Sequence, residues 1–189
     1  NGNKDLKPET SNYVSISYEK FNAHSNFTVK SYLHYLENMI ASVEELESDQ
    51  MIYRNFKSVL MRGIDFYFKK QFNAVTLNSN FSFLSPYDLH NNIQLEGTNK
   101  VSINNNITYY LEKYDFNVNF NYKYVSETFY INGSIPEYHI VNVAYNYNLF
   151  KGIKISLGVD NLINTSSSEN KMTVFPDTRY FVTIIFNKN

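Results

Sequence analysis

Four histidines, 17 tyrosines and no cysteine set the side-chain chemistry open to this chain of 189 residues. Without thiolates there is no disulfide framework, no cysteine zinc site and no cysteine nucleophile. Imidazole and phenolate remain, and both can ligate haem iron. His34 and His90 are the candidates for such contact. His90 lies in Ser85-Pro86-Tyr87-Asp88-Leu89-His90-Asn91-Asn92, and Tyr87, Asn91 and Tyr130 join the two histidines as ring, hydroxyl and amide donors for a ligand. His24 sits in Asn22-Ala23-His24-Ser25, ordinary company for a turn, and His139 alternates with Val141 and Val143 as part of an amphipathic ring. The acidic Glu44-Glu45-Leu46-Glu47-Ser48-Asp49 lacks the alternating Asp-x-Asp-x-Asp-Gly spacing of a calcium loop and reads as a solvated connection. There is no supported Ser-His-Asp arrangement, no His-Glu-x-x-His, no phosphate loop and no dinucleotide fingerprint. These residues predict a binding protein rather than an enzyme, with no resident metal or cofactor.

Composition narrows the partners. Lys and Arg number 17 against 18 Asp and Glu, a net charge of -1 with no basic stripe, so nucleic acid is not expected as a partner. Mean hydropathy is -0.40 and no run of 18 apolar residues occurs, which excludes a transmembrane helix. A transmembrane β-barrel stays open, because its strands alternate polar with apolar and average out hydrophilic. The chain holds 28 Asn, 17 Tyr and 15 Phe beside only 6 Gly, a mixture suited to aromatic pleated surfaces, turns and a wet inner face. It opens on Asn1 with no apolar leader, which predicts a mature product, a cleaved piece or a cut segment.

The elements that must position these groups are strands. Phe116-Asn117-Val118-Asn119-Phe120-Asn121-Tyr122-Lys123-Tyr124 alternates at every residue, a period that only a strand uses. Similar alternation predicts nine strands, at about 11–21, 26–36, 54–70, 73–84, 100–112, 115–128, 138–149, 152–163 and 178–187. Tight connections at 22–25, 71–72, 113–114 and 150–151 alternate with long ones at 37–53, 85–99, 129–137 and 164–177. In an up-and-down meander that places every tight turn at one rim and every long loop at the other, as in outer-membrane barrels. Parity then gives a dry face, with Val14, Ile16, Val29, Phe66, Phe81, Leu157 and Val182, and a wet face with Ser15, Lys30, Asn78, Asn104, Asn119, Asn121 and Asp160. On that reading His34 faces the lumen near the outer end of its strand.

Four segments carry a family resemblance. Asn3-Lys4-Asp5-Leu6-Lys7-Pro8-Glu9-Thr10-Ser11 resembles the Asn-Pro-Asn/Asp-Leu-Lys-Pro-Glu box of TonB-dependent outer-membrane receptors, with Lys4 in place of the proline. Arg54-Asn55-Phe56 leading to Arg62-Gly63-Ile64-Asp65-Phe66 resembles the family's "N…A…GVE" strand. Gly158-Val159-Asp160-Asn161-Leu162-Ile163-Asn164 is similar to its "GVDNLFN" strand, and Phe175-Pro176-Asp177-Thr178-Arg179-Tyr180-Phe181-Val182 to its final "PGRTFFVGL" strand.

The resemblance implies an all-β, antiparallel, up-and-down transmembrane β-barrel in the bacterial outer membrane. Residues 1–189 would be the C-terminal portion of a barrel of about 22 strands, without the plug and the earlier strands. It also implies active import of a scarce nutrient, with outer-membrane lipid, the remaining strands and plug, the TonB system and a small-molecule ligand as partners. The Leu-Lys-Pro-Glu form of the opening box is closer to siderophore and haem receptors than to carbohydrate importers. Two other readings of the residues stand beside this one: a small self-closed barrel acting as pore or adhesin, and a soluble β-sandwich binding module.

Overall fold

In the computed structural model, residues 3–45, 50–130, 133–150, 152–165 and 177–186 are described. The strands are β1 (Thr10–Asn22), β2 (Ser25–Glu45), β3 (Gln50–Phe72), β4 (Val75–Asp88), β5 (Ile93–Gln94), β6 (Val101–Leu111), β7 (Phe116–Val125), β8 (Thr128–Tyr130), β9 (Gly133–Ile135), β10 (Tyr138–Phe150), β11 (Ile153–Asp160) and β12 (Arg179–Phe186). Nine of them form one antiparallel meander in the order β1-β2-β3-β4-β6-β7-β10-β11-β12, with β5 added on β4 and a separate β8-β9 hairpin. The nine-strand path is the one that alternation predicts. Among the described residues the sheet is not closed, and β1 and β12 are its edges. Among the described residues no second sheet large enough to cover a face of this layer is present, so the β-sandwich reading is set aside.

Register confirms the two faces, because directly opposed residues point to the same side. One such row runs Phe66, Phe81, Ile103, Tyr124, His139. Another runs Lys70, Leu77, Ile107, Phe120, Val143, Val159, Tyr180. The dry side chains stand uncovered: Ile16 is 76% exposed and Val182 69%. Patches of that size need an apolar environment outside the chain.

At the tight end the chain reverses at Asn73 (φ 42°) and Asp115 (φ 48°), positions where Asn and Asp tolerate the left-handed region at little cost. The second turn falls at 73–74, two residues later than alternation places it. At the other end the sequence reading needs a larger correction. The long connection at 37–53 is mostly strand, since β2 and β3 continue as a paired ribbon through Glu45 and Gln50. Beyond the dry belt both faces of a ribbon meet water or other loops, so the polar-apolar contrast that marks a strand fades while the ladder of hydrogen bonds persists. The connections at 85–99 and 129–137 likewise contain the β4-β5 pairing and the β8-β9 hairpin. Most of the acidic cluster, 46–49, and most of the last long connection, 166–176, lie outside the described residues.

The small enclosed core is at this long-loop end. Leu95 folds back over Leu36 and Val59, with Met39, Phe56 and Met61 against them. Elsewhere the wet face is held by aromatic rings laid over glycine. Gly63 is covered by Tyr32, its direct partner across the ladder, and Gly158 by Phe181. A Cβ at Gly63 would run into the Tyr32 ring and one at Gly158 into the Phe181 ring, so neither ring could keep its place over a larger residue.

Candidate functional site: the inner wall and the loop-end clusters

The first cluster is on the wet face of β1, β2 and β3. Cross-strand pairing sets Tyr13 opposite His34, Ser15 opposite Tyr32 and Ser17 opposite Lys30. On the other side of β2, Lys30 opposes Asp65 and Tyr32 opposes Gly63. Tyr13 and Tyr32 stack at 6.1 Å between centroids, and the His34 ring meets Tyr13 edge-on at 5.6 Å. His34 Nε2 and Ser11 Oγ are 2.7 Å apart, and the Lys30 ammonium is 5.5 Å from the Tyr13 centroid. Two phenols, an imidazole and an ammonium thus share one wall, a set able to stack on an aromatic ligand and attract an anionic one.

The second cluster is in the loops. Asp88, 1% exposed, accepts the backbone N–H of His90 (2.8 Å) and of Asn91 (3.1 Å) on Oδ1, and the Asn91 side-chain amide (2.8 Å) on Oδ2. His90 Nε2 is 3.2 Å from Lys57 Nζ. Tyr130 lies against Gly97, whose N–H donates to the Phe129 carbonyl at 2.9 Å, so the β8-β9 hairpin is docked on the preceding loop. The five sequence candidates therefore separate. His90 and Asn91 stand together on Asp88, Tyr130 is on the neighbouring hairpin, and His34 belongs to the wall cluster. Tyr87 opposes Leu60 and Gln94, and shares the dry-face parity of Phe81 and Phe83.

Sequence reading missed Tyr13, Tyr32 and Lys30. The signal was present, since Tyr13 and Tyr32 are aromatic residues at wet-face parity, where Ser and Asn are the rule. Parity gives the face of each residue, but only register shows that the three strands bring them level.

The same register converts the four resembling segments into two contacts. Asn55 Oδ1 accepts the Lys7 N–H (2.8 Å) while its amide donates to the carbonyls of Lys7 (3.0 Å) and Asn38 (2.7 Å), so this one side chain imitates a strand partner for the opening box. Glu9 adds a bond from the Ile40 N–H at 3.0 Å. At the other pair, Arg179 Nη2 meets Asp160 Oδ2 at 2.5 Å, and Thr178 Oγ1 donates to the Asn161 carbonyl at 2.8 Å. Asp160 and Asn161 thus fix strand ends.

Farther along the wall, amides and hydroxyls are bonded to one another rather than left bare. Ser156 Oγ donates to Asn146, Asn146 to Asn117, Asn119 to Asn117, and Thr108 to Asn119, at 2.6 to 3.0 Å. Asn121 donates to Asn104 at 2.8 Å. This network makes the wet face a stiff hydrophilic surface.

A one-layer meander with an uncovered dry face and a bonded polar inner face is the wall of an up-and-down β-barrel. The chain belongs to the TonB-dependent receptor-like β-barrel family, whose model matches residues 1–162. Among solved structures it resembles the copper transporter OprC, with TM-score 0.81 and 12% identity over 97% of this chain and 32% of that one. It also resembles the siderophore receptor PirA from Acinetobacter baumannii, with TM-score 0.76 and 16% identity over 98% of this chain and 32% of that one. The ferric enterobactin receptor PfeA from Pseudomonas aeruginosa in complex with enterobactin gives TM-score 0.76 and 14% identity, over 98% of this chain and 32% of that one. The chain thus spans about a third of the length of these structures. No curated protein sequence matches it.

Proposed function

We propose that this chain is the C-terminal portion of the barrel of an outer-membrane receptor, and that the receptor imports iron held by an aromatic, anionic siderophore, with energy delivered by the TonB system through a plug. The observation that carries the cargo is the wall cluster: Tyr13, Tyr32 and His34 offer stacking surfaces, and Lys30 offers charge, toward the long-loop half of the wet face. A ferric catecholate presents flat rings and net negative charge, which this set complements. His90, Asn91 and Tyr130 stand at the loop end, where ligand would first be met. The siderophore receptors among its structural relatives support this cargo over haem.

On this reading the dry face lies in lipid, the tight turns are periplasmic and the long loops extracellular. Two unpaired edge strands favour a larger barrel over a small self-closed pore, since an open edge in a membrane leaves backbone groups without partners. The test is uptake of radioactive iron by iron-starved cells with and without the gene, supplied as a catecholate siderophore or as haem. Loss of siderophore uptake alone is expected, and unchanged uptake of both would refute the cargo. In the whole receptor, Lys30→Gln should weaken siderophore binding about threefold to tenfold, the worth of one desolvated cation–π contact. Equilibrium fluorescence quenching would measure it.

A further inference from the structure

Taken together, the four tight turns and the strand ends beside them have a composition that neither the wall nor the ligand site uses. Residues 19–25, 69–75, 112–116 and 150–154 together contain six lysines and three acids. The long connections at 37–53, 85–99, 129–137 and 164–177 hold ten acids and one lysine, so the two ends are oppositely charged.

At the tight end the register sorts these lysines by face. Lys20 opposes Phe27, and Lys70 opposes Leu77, which puts both on the dry side just below the apolar belt. Lys113 extends over the Tyr114 ring (5.2 Å), and Tyr114 stacks on Phe116 of the dry face. Lys70 lies 4.5 Å from the centroid of Phe72. Phe72, Tyr114 and Phe150 are 48%, 55% and 69% exposed. Among the described residues none of the three lysines is in an ion pair. Of the acids nearby, Glu19 opposes Thr28 on the wet face, Asp115 is bonded by Tyr110 and Asn148, and Glu112 alone shares a turn with Lys113. At Lys70 and Lys113 the ammonium group is held over an exposed ring at the margin of the apolar belt, a place from which a lysine side chain can reach out of hydrocarbon toward charge.

We infer that the outer surface of the tight-turn rim, through Lys20, Lys70 and Lys113, is a docking surface for the anionic headgroups of glycerophospholipids in the periplasmic leaflet. Lys20 on β1 and Lys70 on β3 are two strands apart, about 10 Å, and Lys113 stands farther along the rim in the turn from β6 to β7, so each faces a separate lipid. The rings occupy the interfacial depth and the lysines supply the preference for negative over zwitterionic headgroups. The inference rests on the proposal that the dry face lies in lipid.

The test uses the whole receptor in phosphatidylcholine vesicles, with spin-labelled phosphatidylglycerol or spin-labelled phosphatidylcholine as probe. Electron spin resonance reads the fraction of each label immobilised at the protein. The receptor should favour the anionic label about threefold, and the combined Lys20→Gln, Lys70→Gln and Lys113→Gln variant, or about 1 M salt, should remove most of that preference. Immobilised phosphatidylcholine should be unchanged in the variant, which shows that the barrel is still inserted. Equal immobilisation of the two labels by the unmodified receptor, or a preference untouched by the triple variant, overturns the inference while leaving the membrane reading intact. Absence of immobilised lipid of either kind overturns both.

Discussion

Phe120 and Asn119 are neighbours in sequence and opposites in environment. Phe120 is in the row with Ile107 and Val143, whereas Asn119 accepts the Thr108 hydroxyl and donates to Asn117. Replacing Phe120 by Arg should cost about 2 to 4 kcal/mol of folding free energy near mid-bilayer, and Asn119→Arg far less. Reversible unfolding from vesicles in urea would measure both, and equal costs would refute the face assignment. Asn55 is a different kind of residue. It satisfies backbone groups of Lys7 and Asn38 at once, so Asn55→Ala should release residues 3–9 from the ribbon at a cost of about 1 to 2 kcal/mol. Faster amide exchange at Lys7 and Ile40, without change at Phe66, is the expected record. An interaction of this type was visible in the sequence only as two separate motifs.

At the scale of elements, the β2-β3 ribbon is the support of the loop end. Leu95 rests on Leu36 and Val59, and the Leu89 N–H donates to the Ser58 carbonyl at 2.9 Å, so the loop bearing His90 and Asn91 is carried by the ribbon. Leu95→Ala should cost about 2 to 3 kcal/mol of local stability, because removing a buried leucine leaves a cavity that strands fixed in a ladder cannot close. The expected signs are faster proteolytic nicking within 89–99 and, on the function proposed above, weaker siderophore binding, with the barrel's urea midpoint unchanged. Alternation could not place this ribbon, since its signal is a contrast between two environments and the ribbon leaves the region where they differ. Strands inside the belt were legible for the converse reason.

For the whole molecule, the two open edges are decisive. Taken alone, residues 1–189 present unpaired backbone along β1 and β12, which hydrocarbon does not tolerate and which invites pairing with other chains. The isolated segment is expected to aggregate or assemble rather than insert as a monomer. Vesicle sedimentation and the mobility of unheated samples in gels would show it. A heat-modifiable monomer near 22.2 kDa would instead favour the self-closed barrel.

The strands within the belt, their faces and the alternation of tight and long connections are legible along the chain. Period-two patterning is a local record of which side meets apolar surroundings, and it needs no knowledge of partners. That Tyr13, Tyr32, His34 and Lys30 share one wall, that Asn55 holds Lys7 and that Asp160 meets Arg179 emerges from strand pairing alone. Each of those contacts joins residues distant along the chain. Register across hydrogen-bonded strands fixes such distances, and no single strand encodes its register alone.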